Sequence, residues 1–236
     1  MKRTPIWSSI ADNLRHDIVS GRYAPGDKLP TEAALAARFG VNRHTVRHAI
    51  KALTQEDLVH ARRGSGVYVA MTPTDYAIGR RVRFHQNLTA AGRIPAKDIL
   101  LLETRAGDAR ECEALALETG APVQVYEGLS LADNLPIAIF RSVFPAIRFP
   151  HLLDDLSETK SVTAALERGG VADYTRVSTR LNAKLSTATQ ALHLRISEHA
   201  PILRTTSINA DLDGTPIEFG RTWFAGDKVT LTVSDL

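Results

Sequence analysis

The sequence predicts an α+β protein of two domains. Helices and a short hairpin fill residues 1–70, a linker spans 71–75, and a strand-rich domain follows over 76–236. Two observations carry this. Apolar residues recur at helical spacing as far as about Gln55, and beyond the linker most of them alternate or run in short blocks. The charge divides at the same place. Residues 1–70 hold 11 lysines and arginines against 6 acidic residues, and residues 71–236 hold 18 against 20. With 236 residues, the chain is long enough for two separate cores.

In the first domain, Pro5 sits where a helix can begin, since its missing N–H is not needed there. Trp7, Ile10, Leu14 and Ile18 follow on one face, and Gly21 stops the helix. Thr31 is the expected N-cap of a second helix, with Glu32 in its first turn and Leu35, Ala36 and Phe39 on its buried side. Gly40 ends it in a left-handed conformation. Asn42 caps a third helix that runs to about Gln55 and buries Val46, Ala49, Ile50 and Leu53.

Arg43, His44, Thr45, Arg47 and His48 lie outside that stripe, near the start of the third helix. Helix, tight turn and helix in this order place the N-terminal part of the second helix of the pair in a DNA major groove. Arginine there can donate a two-pronged hydrogen bond to guanine. Leu58–His60 and Val67–Val69 read as two strands joined by Arg62-Arg63-Gly64-Ser65-Gly66, a basic tip slim enough to approach phosphate or a minor groove. The whole is a winged helix-turn-helix, and the partner it implies is double-stranded operator DNA.

In the second domain, Ile99–Thr104 reads as a buried strand and Arg110–Leu117 as a short helix. Val123–Leu131 and Ile137–Phe144 flank Asp133-Asn134, a hairpin signal. Ser161–Arg168 reads as a helix, Tyr174–Leu185 as an alternating strand and Thr187–Leu194 as another helix. Ile202–Ala210 and Pro216–Trp223 form a second hairpin, and Val229–Val233 is the last strand. An antiparallel sheet with helices follows from this order.

Other chemistry finds little footing. The eight histidines show no HExxH spacing, and one cysteine, Cys112, excludes a CxxC site or an intrachain disulfide. No GxGxxG, P-loop or GxSxG motif occurs. Neither metal, cofactor nor catalytic residue is expected. The chain lacks the apolar core of a signal peptide and any run near the roughly 18 residues of a membrane span, so a cytoplasmic, membrane-free location is expected.

LPTEAALAARFGVNRHTVRHAIKAL followed by RRGSGVYV resembles the DNA-binding domain of GntR-type bacterial transcription regulators. That resemblance implies contacts to DNA from Thr31, Arg43, His44, Thr45, Arg47, Arg62 and Arg63, and a wing tip at Gly64 and Gly66. Many members carry arginine just after the LPTE-type glutamate. Here that position is Ala33, so contact by the second helix rests on Thr31 and the helix N-terminus.

Residues 75–234 resemble the effector-binding UTRA domain of the HutC subfamily, through RFHQNL with Gly92, LADNLP and DGTPIE. The fold implied is similar to that of chorismate lyase, which leaves an enzyme fused to a DNA-binding domain as a rival reading. Within the subfamily, PTDYAIGRRVRFHQNLTAAG and TRVSTRLNAK are most similar to regulators of phosphonate-utilisation operons. HutC-type control of histidine, sugar or fatty-acid use is the alternative. The resemblance implies a homodimer and an effector pocket drawn from Arg83, Phe84, Gln86, Asn87, Ser161, Thr163, Arg180 and Glu218, suited to a small anion such as a phosphonate or phosphate. Arg141 and Arg176 could equally supply the positive charge. Sugar-phosphate-binding relatives often carry two arginines on the strand before the Asp133 turn, where this chain has Gly128 and Ser130.

Overall fold

The computed structural model describes residues 5–62, 64–71, 73–81 and 84–233. They divide into two compact units that meet in sequence between Thr72 and Pro73.

The first unit begins with α1 (Ile6–Val19), α2 (Glu32–Phe39) and α3 (Arg43–Gln55). The Thr31 hydroxyl accepts from the Ala34 N–H, and the Asn42 carbonyl oxygen accepts from the Thr45 N–H. Each bond satisfies one of the free donors at a helix start. Gly40 ends α2 at φ 64°, as its lack of a side chain allows. Ile10, Leu14, Leu35, Val46, Ala49, Ile50 and Leu53 form one core, closed from below by Val59 and Val69. Those two valines are opposite each other in a hairpin of β1 (Val59–Arg62) and β2 (Gly66–Val69).

The second unit is a six-stranded antiparallel sheet in the order β4-β5-β6-β9-β8-β7. Its strands are β4 (Pro95–Ala106), β5 (Pro122–Ala132), β6 (Leu135–Pro145), β7 (Tyr174–Leu185), β8 (Pro201–Asp211) and β9 (Pro216–Ala225). Separately, β3 (Thr74–Ala77) pairs in parallel with β10 (Val229–Thr232). Phe140 and Phe144 of β6 look to one face, where α6 (Leu152–Thr159) and α7 (Val162–Arg168) pack. Ile139 and Val143 look to the other, toward Leu115, which follows α5 (Ala109–Ala114), and Leu194 of α8 (Ala188–Leu194). Cover on both faces explains why β6 reads as nearly unbroken apolar sequence.

Three expectations change. Ile99–Thr104 belongs to an edge strand rather than a buried one, with Leu100 40% exposed, because nothing pairs with the far side of β4 among the described residues. Thr74 and Asp75, read as linker, are tied into β3 opposite Val229 and Thr230. Two helices not expected from periodicity appear, α4 (Phe84–Ala90) and α6. α6 starts without a side-chain cap, which removes the usual signal.

Gly128 sits where β4, β5 and β6 pinch together. A Cβ there would lie 2.3 Å from the Asp98 carbonyl oxygen and 2.8 Å from the Phe140 ring. Gly128→Ala is therefore expected to destabilise the protein by about 1–3 kcal/mol, read as a lower thermal midpoint. An unchanged midpoint would show that β4 yields at this point without cost.

Candidate functional site

Two sites emerge, one in each unit. On the first, α3 presents Arg43 and His44 to solvent at its N-terminal end. Thr45 is half-buried, and its hydroxyl donates to the Asn42 side chain. Arg47 is exposed but engaged: its Nε and Nη2 donate to the two Glu32 carboxylate oxygens at 2.9 and 2.7 Å. The same bonds hold the Glu32 carboxyl below its ordinary pKa. Glu32 thus aims the guanidinium along the protein surface rather than leaving it to roam. His48 has a different partner, stacking on Trp7 at 4.3 Å between ring centroids.

The wing is built from ring and cation contacts. Arg62 lies over the Tyr68 ring at 4.2 Å and donates from Nε to the His60 ring. Gly64 has φ 72° and Gly66 φ 119°, both in the region that favours glycine. Lys28 crosses beside Gly66, where a Cβ would meet the lysine chain at 2.7 Å. Thr31 caps α2, so its hydroxyl hydrogen is still available to a phosphate. Arg63 lies outside the described residues.

The second site is a cavity of about 230 Å³ on the face of the large sheet that carries α4 and α7. Its walls include Phe84, Gln86, Ser161, Thr163 and Glu218 from the expected set. Glu218 is 8% exposed, and both of its oxygens are bound. Ser142 of β6 donates to one at 2.5 Å and the Asn209 amide of β8 donates to the other at 2.6 Å. Asn209 in turn accepts from Nε of Arg176 at 2.7 Å. Thr163 and Tyr174 share a hydroxyl pair at 3.0 Å.

Among the described residues two cations line the cavity. One is Arg176, which had been open as an alternative. The other is Lys97, absent from the expected set. The Lys97 ammonium stands 4.6 Å from the Phe140 ring centroid, 5.3 Å from Phe84 and 5.5 Å from Tyr126. Loss of hydration pushes its pKa down to about 8, against the pull of Glu218 in the other direction. Strand pairing brings Lys97 to the site: it is opposite Ser130 in β4 and β5, and both line the cavity. The strand had been expected to begin two residues after Lys97.

Asn87 and Arg180 do not line the cavity. The Asn87 amide donates to the Ala77 carbonyl at 2.9 Å and is occupied with β3. Arg180 is turned away by a bulge between Arg176 and Ser178. Before the bulge the even-numbered Arg176 faces the cavity. After it the odd-numbered Thr179 shares that face, with its hydroxyl 3.3 Å from Arg176. Arg141 is paired with Glu127. Arg83 lies outside the described residues. Among the described residues no cluster of three or more histidine, cysteine or acidic groups could hold a metal, and no helix is long and apolar enough to cross a membrane.

Residues 7–69 match the bacterial regulatory proteins of the gntR family, and residues 90–230 match the UTRA domain. The chain is 38% identical to the HTH-type transcriptional regulator RB1450 of Rhizobium meliloti, over 97% of this chain and 94% of that one. It is 30% identical to the probable transcriptional regulator PhnF of Escherichia coli, covering 96% and 94%. It is 28% identical to the mannosyl-D-glycerate transport/metabolism system repressor MngR of the same organism, covering 99% and 97%. Among solved structures, PhnF from Mycobacterium smegmatis superposes with a TM-score of 0.67 at 25% identity, covering 96% of this chain and 99% of that one.

Arg43→Ala is expected to weaken operator binding by about 1–3 kcal/mol, the worth of one base fork, in fluorescence anisotropy at fixed salt. Arg47→Ala should weaken it as well. Glu32→Ala frees Arg47 and should lower the ratio of operator to scrambled-DNA affinity more than it lowers affinity for scrambled DNA. Equal loss on both DNAs would deny Glu32 its orienting part.

Proposed function

The chain belongs to the gntR family of bacterial regulatory proteins, with a UTRA domain behind its DNA-binding domain, and from that premise we propose a phosphonate-responsive repressor. It binds operator DNA as a homodimer through α3 and the wing, and it releases genes of phosphonate uptake or degradation when a small anion occupies the sheet cavity. The observation that carries the anion is the pair of cations that the described residues place on the cavity wall, Lys97 and Arg176, set against one carboxylate among them, Glu218. The likeness to PhnF supports the phosphonate class.

Each wall group has a chemical part. Lys97 supplies a charge stripped of much of its water, so an incoming phosphonate oxygen meets it with little left to displace. Arg176 offers the guanidinium hydrogens not used on Asn209 and Thr179. The Ser161 hydroxyl accepts the Ala164 N–H and has its own hydrogen to donate. Glu218, already bound by Ser142 and Asn209, fixes those two side chains and repels a second negative group. An amino group at the far end of the ligand would be welcome beside it.

The cavity sits in a domain apart from the DNA-binding residues, so control is a population shift. The effector binds better to a form with low operator affinity, and by linkage the operator weakens effector binding by the same factor.

The likeness to MngR favours a second reading, a sugar-derivative effector. A thermal-shift screen with phosphate, alkyl- and aminoalkylphosphonates, sugar phosphates and urocanate separates them, since the true ligand raises the midpoint. Stabilisation by sugar phosphates alone would replace the phosphonate reading.

Lys97→Met and Arg176→Ala are expected to abolish effector release while operator binding stays intact. The wild-type affinity for an anion should hold at pH 7 and fall as pH rises through about 8, where free Lys97 loses its proton. Lys97→Met should lose that dependence. A fall of equal size in Lys97→Met would assign the titration to another group.

A further inference from the structure

We propose that Lys97 holds its effector by a covalent bond: the amine condenses reversibly with the carbonyl carbon of a small ligand that also carries an anionic group. The proposal rests on the reading of the sheet cavity as the effector site. It narrows the ligand to an aldehyde or ketone with a phosphonate at its other end. Toward a plain anion Lys97 acts by its charge alone.

Lys97 and Lys228 both bring an ammonium group in from the surface, and the protein treats them in opposite ways. Lys228 is 3% exposed, and its Nζ donates to the Pro136 and Leu194 carbonyls at 3.0 and 2.6 Å. Those bonds fix it as a structural cation. Lys97 has no hydrogen bond and no ion pair among the described residues; it is met by the rings of Phe140, Phe84 and Tyr126. Rings hold an ammonium less firmly than oxygen acceptors do. The Glu218 carboxylate does not make up the difference, since Ser142 and Asn209 occupy it and it acts on Lys97 through space. The protonated form is therefore poorly held, and with its pKa lowered to about 8 a share of the amine has a free lone pair near neutral pH.

The neighbours of that amine suit a carbonyl. Ser130 is opposite Lys97 in the β4–β5 pair and lines the same cavity, and no bond to the described residues occupies its hydroxyl. That hydroxyl can donate to the oxygen of a carbonyl brought to the amine. His85 is on the cavity wall as well. Lost hydration, and then the Lys97 charge, hold its ring below the ordinary pKa, so it is a base at neutral pH and can carry a proton between nitrogen and oxygen. Arg176, charged at every working pH, is left to the anionic end of the ligand.

The step needs no oxidant, reductant or further reactant. The nitrogen lone pair forms a bond to the carbonyl carbon, and the π pair of the carbonyl moves onto oxygen. One hydrogen of the neutral amine passes to that oxygen, which gives a carbinolamine. The nitrogen pair then forms the C=N bond, and the hydroxyl leaves with the second amine hydrogen. The sum is amine plus carbonyl to imine plus water, and water reverses it. Reversal is what an effector requires, since the regulator must return to its operator when the supply ends.

The test uses the full chain, 2-oxoethylphosphonate as the probe and ethylphosphonate as its counterpart without a carbonyl. Cyanoborohydride reduces an imine to a stable secondary amine. In its presence the intact mass should rise by one probe less one oxygen atom. Peptide mapping should place that gain on Lys97 about tenfold faster than on the exposed Lys51 and Lys184. Excess ethylphosphonate should slow the labelling of Lys97 and leave that of Lys51 and Lys184 unchanged. Lys97→Arg keeps a charge but cannot form the imine, so the fast labelling should vanish. Fast labelling that persists in Lys97→Arg would overturn the assignment to Lys97. Labelling of Lys97 no faster than of Lys51 and Lys184, with ethylphosphonate still raising the thermal midpoint, would overturn the covalent bond and keep the phosphonate site. Fast labelling of Lys97 that ethylphosphonate does not slow, with no rise in midpoint, would keep the covalent bond and overturn the phosphonate reading.

Discussion

A carboxylate set into the middle of a sheet needs a partner for each oxygen, and the partners of Glu218 come from the strands on either side. Ser142 reaches it from β6 and Asn209 from β8, while Asn209 holds Arg176 of β7 in turn. One chain of hydrogen bonds thus crosses four adjacent strands, because β9 lies between β6 and β8. A one-residue slip of any of these strands would turn its member to the other face and strand the carboxylate. Leaving a buried charge without its partners costs several kcal/mol, more than most single contacts supply. The chemistry of the cavity and the register of the sheet are therefore one constraint. The cavity is not an opening left over by the fold, because its polar wall is part of what specifies the fold.

The DNA-binding unit solves a different problem. Arg47 is exposed on α3, without a buried environment to hold it. Its anchor is Glu32 on the neighbouring helix, which is itself set by the Thr31 cap. The cap, the acid and the arginine form a short relay from the start of one helix to the face of the next. Ala33 beside Glu32 leaves that face clear of a second cation. The hairpin uses aromatic support instead: Tyr68 carries Arg62 on its ring and shares a hydroxyl contact with Ser65 at 2.7 Å.

The first unit was legible in the sequence almost residue by residue. Its signals are local: caps at Thr31 and Asn42, a left-handed stop at Gly40, and an apolar stripe in α3 that coincides with the buried set. The second unit was legible as elements and less so as a site. Hairpins at Asp133-Asn134 and around Gly214 follow from their turn residues, and both Asp133 and Asn134 do adopt positive φ. What escaped depends on distant pairing. Whether Ile99–Thr104 is central or at an edge is decided by strand order, which periodicity does not carry. Lys97 looks like an ordinary surface lysine until β5 brings Ser130 beside it. Arg180 was implied by the resemblance alone, and the bulge before Ser178 that turns it from the cavity leaves no mark in the sequence pattern.

That bulge has a further consequence. On both sides of Val177 the strand keeps its alternation, so the two halves of β7 behave as separate phrases joined by one spare residue. Taking Val177 out of the chain would leave Arg176 facing in and Thr179 facing in, with the ladder to β8 complete. Farther along β7, as at Asn182, closing the bulge to absorb the same deletion would turn the residues between it and the bulge to the other face. The strand thus holds one short stretch at which its length and the facing of its side chains are independent, and that stretch lies between the part that lines the cavity and the part that runs along the sheet's open edge.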